Sequence, residues 1–274
     1  MSAASPEPPD APEGGEDRVL TTRAGAVAWV TLSHPGRMNA LTMRMWRELA
    51  DTMRELSADD GLRAVVLRGE GQNFAAGADI REFPDARRDL ASVQRYHLEV
   101  LAPALHAVRD CPVPVVARLQ GACVGGGLEI ASLCDLRLAG ASTRVGVPIN
   151  RLGFSMAPDE MQGLLDLAGH AVAMELLLEG QVLDAGQALA RGLLTRVVPD
   201  EDLDSEIERC LRRLQQGAPL AARLNKQIAR RLRPGAPALS ADELRASFAY
   251  ADTRDHREGV RAFLAGATPH FTGD

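Results

Sequence analysis

Short apolar runs alternate with longer amphipathic segments over the first half of the chain. The runs predict strands over 18–22, 26–32, 63–68, 113–118 and 135–139, the first two separated by a turn at Ala24 and Gly25. The amphipathic segments predict helices from Thr42, as N-cap, to Leu56, and over 89–109 and 126–133. Because strands and helices take turns along the chain, a layered α/β fold is predicted.

Beyond Pro158 the pattern becomes almost entirely helical. It predicts helices over 159–168, 170–178, 184–190, 201–216, 219–232, 240–251 and 255–265, with one strand over 194–198. The domain organisation is therefore predicted as an α/β core over 18–200 and a helical region over 201–274.

Residues 1–17 are rich in Pro, Ala, Gly and acidic residues and contain no Lys or Arg. This composition predicts a disordered, solvated tail and fits neither a secretory signal nor a mitochondrial presequence. No stretch approaches the ~20 apolar residues that span a bilayer. A cytoplasmic protein with no membrane partner is predicted.

The charge balance and the metal-ligating residue types exclude several functions. The chain has 31 Lys and Arg against 37 Asp and Glu, a net charge of -6, which argues against nucleic-acid binding. None of the four cysteines forms a C-x-x-C pair, so buried thiols are predicted. The six histidines show no metal spacing, and no metal site is predicted.

Two glycine-bearing segments directly follow predicted buried strands. They are NFAAGAD at 73–79 and GACVGGGLEIASLCD at 121–135, the second at the start of a helix. Free N–H groups in such places favour an anion, and two donors from separate segments can form an oxyanion hole. Spacing alone explains the glycines equally well by tight packing. A phosphate-binding P-loop is excluded because the chain has no Gly-Lys pair.

These two segments resemble the signature segments of the crotonase superfamily, which includes enoyl-CoA hydratases and isomerases. Three further blocks resemble the family in the same order: HPGRMNAL at 34–41, MELLLEGQVLDAGQALARGLLTRVVP at 174–199 and REGVRAFLAGATPHFTG at 257–273. The resemblance implies a crotonase-like spiral of β-β-α turns with a helical C-terminal region that serves oligomerisation, in homotrimers or hexamers. It also implies an acyl-CoA substrate and no cofactor besides the CoA of that substrate.

The resemblance further implies the site residues. The oxyanion donors would be the N–H groups of Ala78 and Gly126, and Glu129 would activate water or move a proton. The residues implied to line the substrate and CoA path are Arg37, Met38, Ala40, Ala76, Gly77, Asp79, Ile80, Gly125 and Ile149. Asp79 could equally hold its own turn.

Glu129 also stands out from its neighbours. It falls in the first turn of a predicted helix, where acids are favoured, but the residues beside it are apolar. Partial burial of the carboxyl is therefore predicted, with a raised pKa suited to proton transfer. Asp135, which ends the same segment, is predicted to be a buried hydrogen-bonding residue.

The chain departs from the family at the second acid. The stretch that resembles F-G-Q-P-E reads VGVPI at 145–149, so Ile149 stands where hydratases carry a second glutamate. Four alternatives stay open: Glu129 handles all protons, Asp159 or Glu160 substitutes, the enolate arises by decarboxylation, or the protein binds acyl-CoA without catalysis. For Asp159 and Glu160, the role of helix-start carboxylates is favoured.

A second departure concerns the CoA phosphates. Where the family carries a basic run near its C-terminus, this chain reads AGATP at 265–269. Arg37, Arg81 and Arg261 are candidate replacements, and an acyl-carrier-protein thioester is an alternative substrate.

Overall fold

The structure, a computed structural model, describes residues 15–233 and 235–274. The predicted tail over 1–17 therefore lies mostly outside the described residues. At its end, the Asp17 carboxylate accepts hydrogen bonds from the Thr42 hydroxyl (2.6 Å) and the Arg44 guanidinium (2.9 Å). The prediction of a solvated tail is wrong at Asp17.

Nine strands form two sheets within the described ranges. The strands are β1 Arg18–Ala24, β2 Val27–Ser33, β3 Ala64–Gly69, β4 Val115–Leu119, β5 Ala122–Val124, β6 Leu136–Gly140, β7 Arg144–Gly146, β8 Val182–Asp184 and β9 Arg196–Val198. The larger sheet has the order β1-β2-β3-β4-β6-β9, and only β1 is antiparallel to its neighbour. Every residue of β2 and β3 is buried, as expected for the continuous apolar runs of a covered parallel sheet.

The helices follow the predictions closely. They are α1 Met43–Ser57, α2 Phe83–Ala86, α3 Leu90–Arg95, α4 Ala102–Asp110, α5 Gly126–Leu133, α6 Pro158–Glu179, α7 Ala185–Ala190, α8 Leu203–Gln216, α9 Pro219–Arg231, α10 Ala241–Ala246 and α11 Arg254–Leu264. Thr42 caps α1 by accepting from the Met45 amide, as predicted. The long predicted helix over 89–109 is continuous but contains a π-helical segment, Tyr96–Leu101, between α3 and α4. The helix predicted over 240–251 ends early and gives way to a 3₁₀ turn at Ala249–Asp252.

The smaller sheet, β5-β7-β8, was not predicted. β4 of the larger sheet is followed by β5 of the smaller sheet and then by α5. In the same way, β6 of the larger sheet is followed by β7 of the smaller sheet and, after a 3₁₀ turn at Pro148–Leu152, by α6. Each turn of the chain thus lays down two strands and a helix. The predicted spiral of β-β-α turns is confirmed, and it delivers the starts of α5 and α6 to the same side of the molecule.

The helical region packs against the core. On one face of the larger sheet, α8 buries Leu203 and Ile207 in a cluster with Trp29 and Val66 of the strands. From α9, the buried Lys226 ammonium donates to the Val113 carbonyl at 2.7 Å.

Lys226 also forms an ion pair with Asp135, whose carboxylate accepts from the Val115 amide at 2.7 Å. The predicted hydrogen bonding of Asp135 is therefore confirmed. The prediction that it is buried is wrong, because 32% of its side chain is exposed at the edge between core and helices. All four cysteines are free thiols in the buried interior, as predicted.

α6 is long and apolar enough to cross a membrane by length and composition alone. The prediction that no segment is long and apolar enough to span a bilayer is therefore wrong for α6, by its length and composition. Its backbone is not regular, however, since Gly169 has a φ of 73° and kinks it between the two predicted helical segments. Its first turn also carries Asp159 and Glu160, which are placed by contacts with other parts of the chain.

Candidate active site

Asn39 organises the segment that leads into α1. It is buried and has a φ of 55°, a left-handed conformation that asparagine tolerates better than most residues. Its side-chain amide donates to the carbonyls of Glu70 (2.9 Å) and Asn73 (2.8 Å), and its oxygen accepts from the His34 amide (3.1 Å). One side chain therefore fixes three backbone groups on two segments.

Replacing Asn39 by alanine is expected to lower the free energy of unfolding by ~2–4 kcal/mol. Three partly buried backbone groups would lose their partner, and a buried unsatisfied group costs ~1–3 kcal/mol before relaxation. Urea unfolding of the two proteins measures the difference. Asn150→Ala is the control, because Asn150 lies on the surface and donates to a single carbonyl, that of Leu178. Equal losses for both variants would contradict this role of Asn39.

The first glycine-bearing turn presents the amide of Ala78. Leu41 lies beside it in a bridge, donating to the Gly77 carbonyl (2.7 Å) and accepting from the Asp79 amide (2.8 Å). Gly77 has a φ of 98°, which residues with a side chain rarely adopt. These bonds leave the intervening Ala78 amide with no acceptor among the residues described.

The second turn presents the amide of Gly126. Gly125, with a φ of 52°, donates to the Gly146 carbonyl of β7 at 2.9 Å, so the small sheet holds this turn. Gly126 begins α5, and its amide is one of the N–H groups that a helix leaves free. It also has no acceptor in the part of the chain that the structure describes.

The two turns touch backbone to backbone. A Cβ added at Gly77 would lie 3.5 Å from the Gly126 nitrogen, and one added at Gly127 would lie 2.4 Å from the Ala75 carbonyl oxygen. Ala78 and Gly126, the residues with the free amides, both line one cavity of about 100 Å³. The glycines therefore serve close packing, and this packing brings the two free donors to one space.

Glu129 lies in the same cavity and is 8% exposed. Its Oε2 is buried and has no hydrogen-bond partner within the described ranges. Burial raises the pKa of the Glu129 carboxyl well above its usual range, the nearby Glu160 carboxylate raises it further, and the Arg87 guanidinium opposes both. The predicted burial is confirmed, and a carboxyl whose pKa is raised in this way is suited to proton transfer.

Glu160 is a second buried carboxylate in this cavity, at 5% exposure. One of its oxygens is 2.5 Å from Nδ1 of His97, and the other accepts from the Ala157 amide at 3.3 Å. Its neighbour Asp159 is exposed and pairs with His106 at 3.2 Å. The prediction of a carboxylate at a helix start describes Asp159 fully. For Glu160 it leaves out that the side chain is buried in the cavity.

The remaining wall is mainly apolar, with one cation. The apolar side chains include Trp46, Leu101, Pro148, Ile149, Leu152 and Phe154. The Arg87 guanidinium sits over the rings of Phe83 (3.9 Å), Phe154 (4.2 Å) and Tyr96 (4.9 Å). Sequence reasoning missed Arg87, because a charged stretch around it is typical of a solvated surface.

The residues predicted for the substrate path divide into two groups. Ala76, Gly77, Ile80, Gly125 and Ile149 line the cavity with the two donors and Glu129. Outside it lie Arg37 and Met38, which are exposed, and Ala40, which is partly buried. Their segment is joined to the first turn by the hydrogen bond from the Ala76 amide to the Met38 carbonyl, at 3.0 Å.

The charged residues of this region have partners of their own. Asp79 is buried and accepts from the Arg81 amide (3.1 Å) while forming an ion pair with the Arg81 side chain, so it holds the turn. Arg261 lies on α11 and pairs with Glu258. No cluster of three or more potential metal ligands occurs in residues 15–233 and 235–274.

Comparison with known proteins agrees with this geometry. Residues 22–274 match the family described as enoyl-CoA hydratase/isomerase. A probable enoyl-CoA hydratase of Mycobacterium tuberculosis is 33% identical over 260 residues, covering 93% of this chain and 98% of that protein. A 2,3-dehydroadipyl-CoA hydratase of Escherichia coli is 31% identical, with coverage of 93% and 98%.

Among solved structures, an enoyl-CoA hydratase/carnithine racemase from Magnetospirillum magneticum superposes with a TM-score of 0.90 at 44% identity, covering 93% of this chain and 96% of that one. A fold that brings two free amides and a buried carboxyl to one cavity defines an acyl-thioester enzyme of the crotonase superfamily. The chain belongs to the enoyl-CoA hydratase/isomerase family.

Proposed function

We propose that the protein binds a 2-enoyl-CoA thioester, holds its carbonyl oxygen with the amides of Ala78 and Gly126, and uses Glu129 as the proton-transferring group. The observation that carries this proposal is that Ala78, Gly126 and Glu129 line one cavity, while both amides and the Oε2 of Glu129 have no hydrogen-bond partner among the described residues. Electrostatic stabilisation of the enolate oxygen by two fixed donors is the largest expected contribution to the rate.

Hydration is the favoured reaction. Addition of water at the β carbon pushes the double-bond electrons onto the thioester oxygen, and protonation of the α carbon returns them. The buried carboxyl of Glu129, whose pKa burial raises, is suited to that protonation. All these groups belong to the chain, so this chemistry calls for no cofactor besides the CoA of the substrate.

Isomerisation of a 3-enoyl-CoA to a 2-enoyl-CoA is the second candidate. It needs one group that takes a proton from the α carbon and returns it to the γ carbon. Ile149, which replaces the second acid of family hydratases, favours this reaction because Glu129 could carry it out alone. Decarboxylation would use Glu129 only to protonate the resulting enolate, and binding without catalysis gives its buried carboxyl no role.

The test is a substrate panel with the purified full chain: 2-enoyl-CoA and 3-enoyl-CoA thioesters, and malonyl-CoA as the decarboxylation control. Loss of the conjugated thioester absorbance reports hydration, and its gain reports isomerisation. Product masses separate the two reactions. Turnover of either enoyl series, with malonyl-CoA untouched, is expected. Carbon dioxide release as the only activity would overturn the proposal.

A homotrimer or hexamer in the cytoplasm is part of the same proposal. The helical region exposes a row of large apolar side chains on the described surface: Phe248, Tyr250, Val260, Phe263 and Leu264. Such a patch is typical of a surface that a partner covers. Oligomerisation of this region through these side chains is consistent with its predicted role.

A further inference from the structure

We propose that Glu160, held in place by His97, is the second acid/base group of this cavity and takes the proton from the water that adds to the substrate. The inference rests on the proposed function. It gives this chain a second acid, which family hydratases carry at the position of Ile149. Glu160 comes from the start of α6, a different element from the turn that carries Ile149. It lines the same cavity as Glu129 and the two free amides.

The contacts of the Glu160 and Glu129 carboxyl groups indicate which of them is the base and which is the acid. Glu160 accepts from two donors, Nδ1 of His97 at 2.5 Å and the Ala157 amide at 3.3 Å. Both oxygens of the Glu160 carboxyl therefore have a hydrogen-bond partner. Glu129 has a buried oxygen with no donor, which favours its neutral form. Two carboxyls in environments that differ this way take opposite roles, one as base and one as acid.

The proton balance of hydration follows from this division. Water gives a proton to the Glu160 carboxylate as its oxygen bonds to the β carbon. The electrons of the double bond move to the thioester oxygen, between the amides of Ala78 and Gly126. Glu129 then gives its proton to the α carbon. Glu160 ends protonated and Glu129 ionised, and exchange with solvent after product release restores both.

His97 acts through Glu160 and is a positioning residue. Its side chain is 11% exposed and lies in the π-helical segment, packed edge-on against the Tyr96 ring. A single π-helical turn is often found at a functional site. Here it places the imidazole where its N–H meets the carboxylate. The other charged group on this side of the cavity is Arg87.

The test compares Glu160→Gln with Asp159→Asn, a matched control on the adjacent exposed carboxylate. Two rates are measured: hydration of 2-enoyl-CoA, and exchange of the α protons of butyryl-CoA with D2O, in which the ionised form of Glu129 is the base, the amides hold the thioester oxygen and Glu160 takes no part. We expect Glu160→Gln to lower kcat for hydration by roughly 10²–10⁴-fold while exchange stays within a few-fold. Asp159→Asn should change neither rate.

His97→Asn keeps an N–H donor near the position of Nδ1, whereas His97→Leu removes it. We expect the asparagine variant to retain most of the hydration rate and the leucine variant to lose it, mainly in kcat. Equal effects of Glu160→Gln on hydration and exchange, or none on either, would overturn the role of Glu160. A wild-type protein that exchanges or isomerises but never hydrates would do so too. Absence of every activity in wild type would instead overturn the proposed function.

Discussion

Exchanging Glu129 for glutamine is expected to lower kcat for enoyl-CoA turnover by roughly 10²–10⁴-fold, the usual contribution of a positioned acid or base. The neutral carboxyl and the amide have nearly the same shape, so the substitution removes the proton and little else. We expect the variant to bind the thioester with an unchanged KM and to unfold at a similar temperature. Glu99→Gln, on an exposed glutamate of the π-helical segment, is the control.

The pH profile gives an independent check of Glu129. If it acts as an acid, activity falls as pH rises through its pKa, and that fall comes at a higher pH than for an ordinary glutamate because its pKa is raised. Removing the neighbouring charge with Glu160→Gln should move the fall to lower pH in the residual activity. An activity that stays constant well into the alkaline range, or wild-type turnover in Glu129→Gln, would remove Glu129 from the mechanism.

Replacing Gly127 by alanine is expected to lower kcat by roughly 10²–10³-fold, about the effect of losing one oxyanion donor. The added Cβ would lie 2.4 Å from the Ala75 carbonyl oxygen, a backbone atom that cannot turn away. The two turns must therefore separate, and the amides of Ala78 and Gly126 would no longer point at one oxygen. Overpacking of this kind also costs ~1–3 kcal/mol of stability.

Gly186→Ala is a closely matched control for this substitution. Gly186 is the second residue of α7, as Gly127 is the second residue of α5, but a Cβ there meets only an ordinary contact of 3.4 Å. The control should keep full activity and gain a little stability from the helix propensity of alanine. The test is to measure kcat and the unfolding temperature of both variants. Equal activity of the two would show that the close approach of the turns is not needed.

The periodic parts of the fold could be predicted from the sequence. α1 and the long helix that ends at Asp110 have an apolar periodicity, and Thr42 is a clear cap. β5, β7 and β8 have three residues each, too few for a periodic pattern to identify. They form only because the spiral brings them together, and they hold the turn at Gly125.

The site residues that could be predicted are those that lie within the two glycine-bearing segments. Glu129 and the donors Ala78 and Gly126 are implied by the resemblance of the two glycine-bearing segments to the crotonase superfamily, and their catalytic roles stay predictions. Glu160 could not be singled out, because in the sequence it is an acid beside Asp159 at the start of a helix. Which of the two faces the cavity depends on how α6 packs, and Phe154, one of the rings beside Arg87, likewise comes from a distant segment.

The packing of the helical region on the sheet has a consequence for how the protein melts. Leu203 and Ile207 cover Trp29 and Val66, and Lys226 bonds the carbonyl just before β4. Without these helices, one face of the larger sheet would be open to water. The core and the helical region are therefore one cooperative unit, and heat should disrupt both in a single transition rather than release the helices first.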